Sequence, residues 1–236
     1  MNFKTMSYLD RIRFIKGNDF VKAGFRELCE GNRDLAVSLI NDKRLLFVSL
    51  FTLLPEIEEF DLYEYLNSRN NTAIKMCKKI LKEDILLTEN NEEITNALKW
   101  IFTTGANDDG LNCEFDRILD GVAALLTITY NDKTILPIIA DVIFKRNRRG
   151  AFIHDLVWAF FRAENKDALR SIAGFLRSAN KADVELVCKL LNIEPVKYAS
   201  YLSWFNENSP NMVFTGECFN LNSNPQRIIV DSEVKS

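Results

Sequence analysis

His154 is the only histidine among 236 residues, so any chemistry that needs an imidazole near neutral pH must use it. Read on a helix, its neighbours on the same face are Gly150, Ala151, Val157 and Trp158, none of them an acid or a nucleophile. The adjacent Asp155 projects about 100° away. A general base needs a partner that orients it, so the reading favours a satisfied, partly buried histidine. The five cysteines, at positions 29, 77, 113, 188 and 218, are too scattered for a C-x-x-C metal site or a disulfide framework. Cys113 opens a helix whose dipole favours a thiolate, but Asp108, Asp109, Glu114 and Asp116 oppose it. Cys29, Cys77 and Cys188 fall on apolar faces and read as small hydrophobes. The acids of the loop Gly105-Ala106-Asn107-Asp108-Asp109-Gly110 suggest calcium, but the spacing does not fit. With Gly110 as the obligatory glycine of an EF-hand loop, Gly105 takes the first ligand position and Asp116 stands where a bidentate Glu belongs. The sequence contains no phosphate-binding glycine loop, G-x-S-x-G elbow or H-E-x-x-H run. The expectation is a chain without a catalytic site, metal or cofactor.

Charge is more informative than catalysis. Between Asp141 and Lys181 stand nine Lys or Arg against four acids, whereas residues 56 to 64 carry five acids and no base. The acidic run reads as a solvated helix face above Ile57, Phe60 and Leu62. The basic run can hold helix carbonyls at Lys145 and Arg146, or it can present a phosphate-binding stripe. The net charge of −3 gives no global field for nucleic acid or an anionic membrane.

The element that must position these groups is a helical hairpin from Asp132 to Ala163. Ile135, Ile138, Ile139, Val142 and Ile143 recur at three- and four-residue steps, with Thr134 as the cap and Pro137 in the first turn. Gly150 permits the turn. Phe152, Ile153, Leu156, Val157, Phe160 and Phe161 then restart the period and cover more than half a helix, which predicts a central helix. On that helix His154, Trp158, Arg162 and Asp155 fall at about 0°, 40°, 80° and 100°. Trp and Arg are the residue types that most often anchor interfaces. His154, Asp155, Trp158 and Arg162, with Arg146, Arg148 and Arg149 beside them, are therefore the candidate binding surface.

The rest of the chain repeats the helical pattern. Glycines at 17 and 31 stop the first two helices, Asp19 caps the second, and Asn32, Asn112, Asn165 and Asn180 cap later ones. Lys43-Arg44 marks a break, Pro55 ends a helix, Ser68 to Asn71 read as a link, and Pro195 opens the last helix. Seventeen Phe against nine Gly and five Pro favour long elements on short links. About a dozen such helices on short links give an all-α fold, an irregular array of antiparallel helix pairs over 1–206 with a candidate sub-boundary at 104–112. In texture it resembles the α-solenoids of the HEAT and armadillo type, whose periods are similarly degenerate. The resemblance implies a macromolecule-binding scaffold.

From Glu207 to Ser236 the pattern changes. Asn and Pro argue against helix, and Met212-Val213-Phe214 and Ile228-Ile229-Val230 are short extended candidates in a tail expected to pack on the last helices. No apolar run approaches the roughly 18 residues of a membrane span, and residues 1 to 7 hold no apolar leader core. The expectation is a cytoplasmic, reduced protein that binds a protein partner without a membrane, nucleic acid being the alternative through the basic region 141–181.

Overall fold

Side-chain caps decide where most of the helices begin. In the computed structural model, which describes residues 5–83, 91–214 and 228–230, the fold is all-α apart from one pair of short strands. The chain divides into two compact units, 1–122 and 123–236.

The first unit holds α1 (Tyr8–Lys16), α2 (Asn18–Gly31), α3 (Arg33–Ile40), α4 (Phe47–Thr52), α5 (Leu54–Glu59), α6 (Ser68–Leu81) and α7 (Glu92–Gly105). It also holds most of α8 (Cys113–Ala124), and the division falls inside that helix. Ser7 caps α1, Asn32 caps α3, Asn67 caps α6 and Asn91 caps α7, each side chain accepting from backbone N–H groups of the first turn. Asn67 explains why Ser68 to Asn71 belong to α6 and are no link. At Pro55 too the chain differs from its sequence pattern. Pro55 lies in the first turn of α5, where its missing N–H costs nothing, so it starts one helix and does not end another. The second helix is preceded by Gly17 without a side-chain cap, and Asp19 lies inside its first turn.

Leu9, Val21, Phe25, Ile40, Leu50, Leu53 and Ile57 form one continuous buried cluster of this unit, each fully buried side chain contributing about 2 kcal/mol. Phe47, Phe51, Trp100 and Phe115 make a second cluster of ring contacts. Packing is closest at Gly121, where an added Cβ would stand 2.5 Å from Ile80 Cγ2. The acidic run is not uniformly solvated: Ile57 and Leu62 are buried as expected, but so is Glu56.

The second unit starts with a π-helical turn, Leu125–Thr129, followed by α9 (Leu136–Arg149), α10 (His154–Arg162), α11 (Leu169–Ala173), α12 (Lys181–Leu191) and α13 (Tyr198–Asn208). Asp132, not Thr134, caps the short turn before α9, its carboxylate accepting from Thr134 N at 2.9 Å. Gly150 ends α9 in the left-handed region, φ 66° and ψ 23°, a conformation that costs other residues a Cβ clash. The last helix begins at Tyr198, after Pro195. The hub of the unit is α9, which packs on α10, α11 and α12, whereas α10 was expected to be central. The apolar arc of α10 is narrower than its sequence suggests, because Phe152 precedes the helix and is 62 % exposed.

After α13 the strands β1 (Met212–Phe214) and β2 (Ile228–Val230) pair antiparallel, with Met212 opposite Val230. Both extended triplets are therefore strands. Residues 215–227 and 231–236, with Cys218 and the Asn-rich 220–224, lie outside the described residues. No described helix is long and apolar enough to cross a membrane.

Candidate functional site

The turn between α9 and α10 is organised by Arg146. In the last turn of a helix an arginine reads as a solvated cation, yet this one is 2 % exposed and its Nη1 donates to Phe152 O at 3.2 Å. Its own carbonyl accepts from Ala151 N at 2.9 Å. Arg146 therefore fastens both sides of the turn, and of the seven candidate surface residues it alone is buried. Asn147 Nδ2 donates to Ala182 O at 3.3 Å, a further tie between α9 and α12.

Arg148 lies over the start of α12, where Nε is 2.9 Å from Asp183 Oδ1 and Nη2 2.7 Å from Asp183 Oδ2. Asp183 is fully buried and also accepts from Ser178 Oγ at 2.5 Å. The guanidinium, and secondarily the hydroxyl, hold its carboxyl below the usual carboxylate range. Other bases of the stretch are similarly engaged. Lys166 Nζ donates to Ser209 O at 3.1 Å, Arg170 Nη2 to Asn206 Oδ1 at 3.1 Å, and the Arg177 guanidinium stands 4.4 Å from the centre of the Tyr198 ring. Arg149 is exposed on the last turn of α9.

His154 opens α10. Its Nδ1 is 3.3 Å from Asp155 Oδ1, so the neighbour expected to point away makes contact. The reason is position: both residues lie in the first turn, where a short side chain can lean across the helix end. The Phe152 ring stands 5.8 Å from the imidazole, Trp158 one turn further on is partly buried, and Arg162 is exposed. Leu156, Val157, Ala159, Phe160 and Phe161 occupy the buried side of the same helix. The structure thus brings His154, Asp155, Trp158 and Arg162 onto one sector with Phe152 at its end. Arg146 and Arg148 belong to the packing beneath and beside it. Phe152 was read as core, and the signal that could have corrected this is its place directly after the left-handed Gly150, outside the helix that would bury it.

Elsewhere the groups that could do chemistry are committed to structure. Asp108 Oδ1 receives Arg13 Nη1 at 2.9 Å, and Asp116 Oδ1 receives Gly110 N at 2.6 Å, so these loop acids serve internal bonds. Burial pushes the Cys77 thiol up, and Cys29 and Cys188 shift the same way by desolvation. Among the described residues no group of three or more His, Cys, Asp or Glu is placed to hold a metal ion. What the α10 sector offers chemically is a ring, an imidazole, a carboxylate and a guanidinium within two turns, a set suited to directional contacts. In comparisons with protein-family models, curated proteins and solved structures, the chain matches none of them.

Proposed function

We propose that this chain is a non-catalytic, cytoplasmic scaffold that binds another protein through the α10 sector. Its sequential helix pairs would form an irregular array of the HEAT and armadillo kind. The observation that carries the reading is the division of labour on the α9–α10 hairpin. Arg146 and Arg148 are spent on the turn and on Asp183, while Phe152, Asp155 and Arg162 stand exposed with His154 and Trp158 between them. A mixed aromatic and charged face can desolvate its rings and still direct a partner through its charges. The same commitments count against a phosphate-binding stripe over 141–181, because a guanidinium already holding a carboxylate or a carbonyl has fewer donors left for a phosphate.

The test is co-purification of partners with the intact chain and with the double variant Phe152→Ala, Arg162→Ala. Both sites are exposed, so the variant should keep its stability within about 1 kcal/mol and lose the partner. Equal capture by both proteins would remove α10 from the reading. Capture of DNA or RNA that weakens steeply with salt would replace the protein partner with nucleic acid.

A further inference from the structure

The side of the first unit formed by α1 and α2 carries apolar side chains where a solitary helix pair would carry polar ones. Ile15 is 62 % exposed, Phe20 55 % and Tyr8 49 %. Tyr8, Ile12 and Ile15 share an arc of about 60° on α1, and Phe20, Gly24, Glu27 and Gly31 share a similar arc on α2. Between them runs an open groove of about 460 Å³ whose lining includes Leu9, Ile12, Val21 and Leu28. A Cβ added at Gly24 or Gly31 would meet nothing within 4 Å, so the α2 side of the groove is open to an approaching surface.

The two helices run in opposite directions. The start of α1 (Tyr8) and the end of α2 (Gly31) line the same groove, while at the other end Lys16 Nζ stands 6.0 Å from the centre of the Phe20 ring. The groove therefore has a positive end, Lys16 at the turn, and a negative end, Glu27, roughly 10 Å further along α2 than Phe20.

We infer that this face is the two-fold interface of a homodimer, its occupant a second copy of the chain. A two-fold axis normal to the middle of the groove exchanges its ends. Lys16 of each copy then faces Glu27 of the other, and Phe20 of each faces Tyr8 of the other. Closed two-fold pairing demands a surface complementary to itself. An apolar stripe with opposite charges at opposite ends meets that demand, whereas a stripe of one sign would repel its own copy. Clustered exposed rings and aliphatics are a mark of interaction surfaces in soluble proteins. This inference is independent of the α10 surface.

The experiment is sedimentation equilibrium of the intact chain at concentrations up to about 100 µM. The expected result is a reversible dimer. Gly24→Arg should weaken it by about tenfold or more, and it is the informative variant because open space and a better helix former leave the fold unharmed. Lys16→Glu and Glu27→Lys should each weaken the dimer, and the two together should restore it. A chain that stays monomeric throughout, a dimer indifferent to Gly24→Arg, or a double reversal that restores nothing would each overturn the proposal. A monomer whose α10 variant still loses a partner would leave the proposed function standing.

Discussion

Asp10 in the first unit and Asp183 in the second are both shielded completely from solvent, but the groups that meet them differ in kind. Asp10 lies among neutral donors: Ser7 Oγ at 2.5 Å, Ser49 Oγ at 2.6 Å and Leu46 N at 3.1 Å. Desolvation is the largest influence on it and raises its pKa, with the hydroxyls of Ser49 and Ser7 opposing. Asp183 meets a guanidinium as well as a hydroxyl, and its pKa is lowered. A buried carboxylate is thus accommodated in two ways, by neutral hydrogen bonds that leave the charge expensive or by a counter-ion that removes the expense. The first way locks α1 against the start of α4, behind the groove that the other face of α1 lines. The second consumes one of the bases that would otherwise form a surface stripe.

The comparison can be broken at either end. Asp10→Ala removes the acceptor of two hydroxyls and an amide and should cost about 3 kcal/mol in urea unfolding; a loss near zero would mean those donors find other acceptors at once. Arg148→Ala leaves Asp183 buried beside a single hydroxyl. Because the Arg148 side chain is 41 % exposed, water partly replaces it, and the expected loss is about 2 kcal/mol. If Arg148→Ala proved neutral, the pair would be a surface ion pair in effect and the contrast with Asp10 would collapse. Ser49→Ala removes one of the three donors to Asp10 and should cost about 1 kcal/mol by the same measurement, less than either.

These contacts show where sequence reading reaches its limit. The 3.6-residue period placed the α9–α10 hairpin, and side-chain chemistry placed the Asn caps at 32, 112, 165 and 180, because both depend on residues a few positions apart. The extended triplets at 212–214 and 228–230 were legible for the same reason. What failed depends on distant partners. Asp10 and Ser49 are 39 residues apart, Arg148 and Asp183 are 35 apart, and nothing local marks either pair. Arg146 was given to the surface because cations at a helix end are usually solvated; its burial follows from a turn that folds Phe152 back over it. Gly121 reads as an ordinary helix residue until Ile80 is found against it. At the candidate site the period told which side chains of α10 share a sector, but exposure is set by neighbours. Hence Phe152 was read as buried, and Trp158 was left to the structure, which covers it in part.

The most discriminating prediction concerns the sign of the pH dependence. Asp10 has a raised pKa in the folded chain, so folding favours its protonated form. Its contribution to stability is fully present below the unfolded value near 4 and is lost as pH rises through the higher folded value. Asp183 has a lowered pKa, so its contribution is present above that same unfolded value and is lost only as pH falls through the folded one. The two windows lie on opposite sides of about pH 4. Stability measured from pH 3 to 7 for the wild type, Asp10→Asn and Asp183→Asn isolates each term by difference, with a slope of at most about 1.4 kcal/mol per pH unit for one proton. The gap between wild type and Asp10→Asn should widen as pH falls from 7 toward 4. The gap between wild type and Asp183→Asn should stay level over that range and narrow below it. Two gaps that move together would mean that Arg148 does not hold the charge of Asp183, or that the hydroxyls around Asp10 compensate its burial in full. In either case the two carboxylates would be accommodated in the same way.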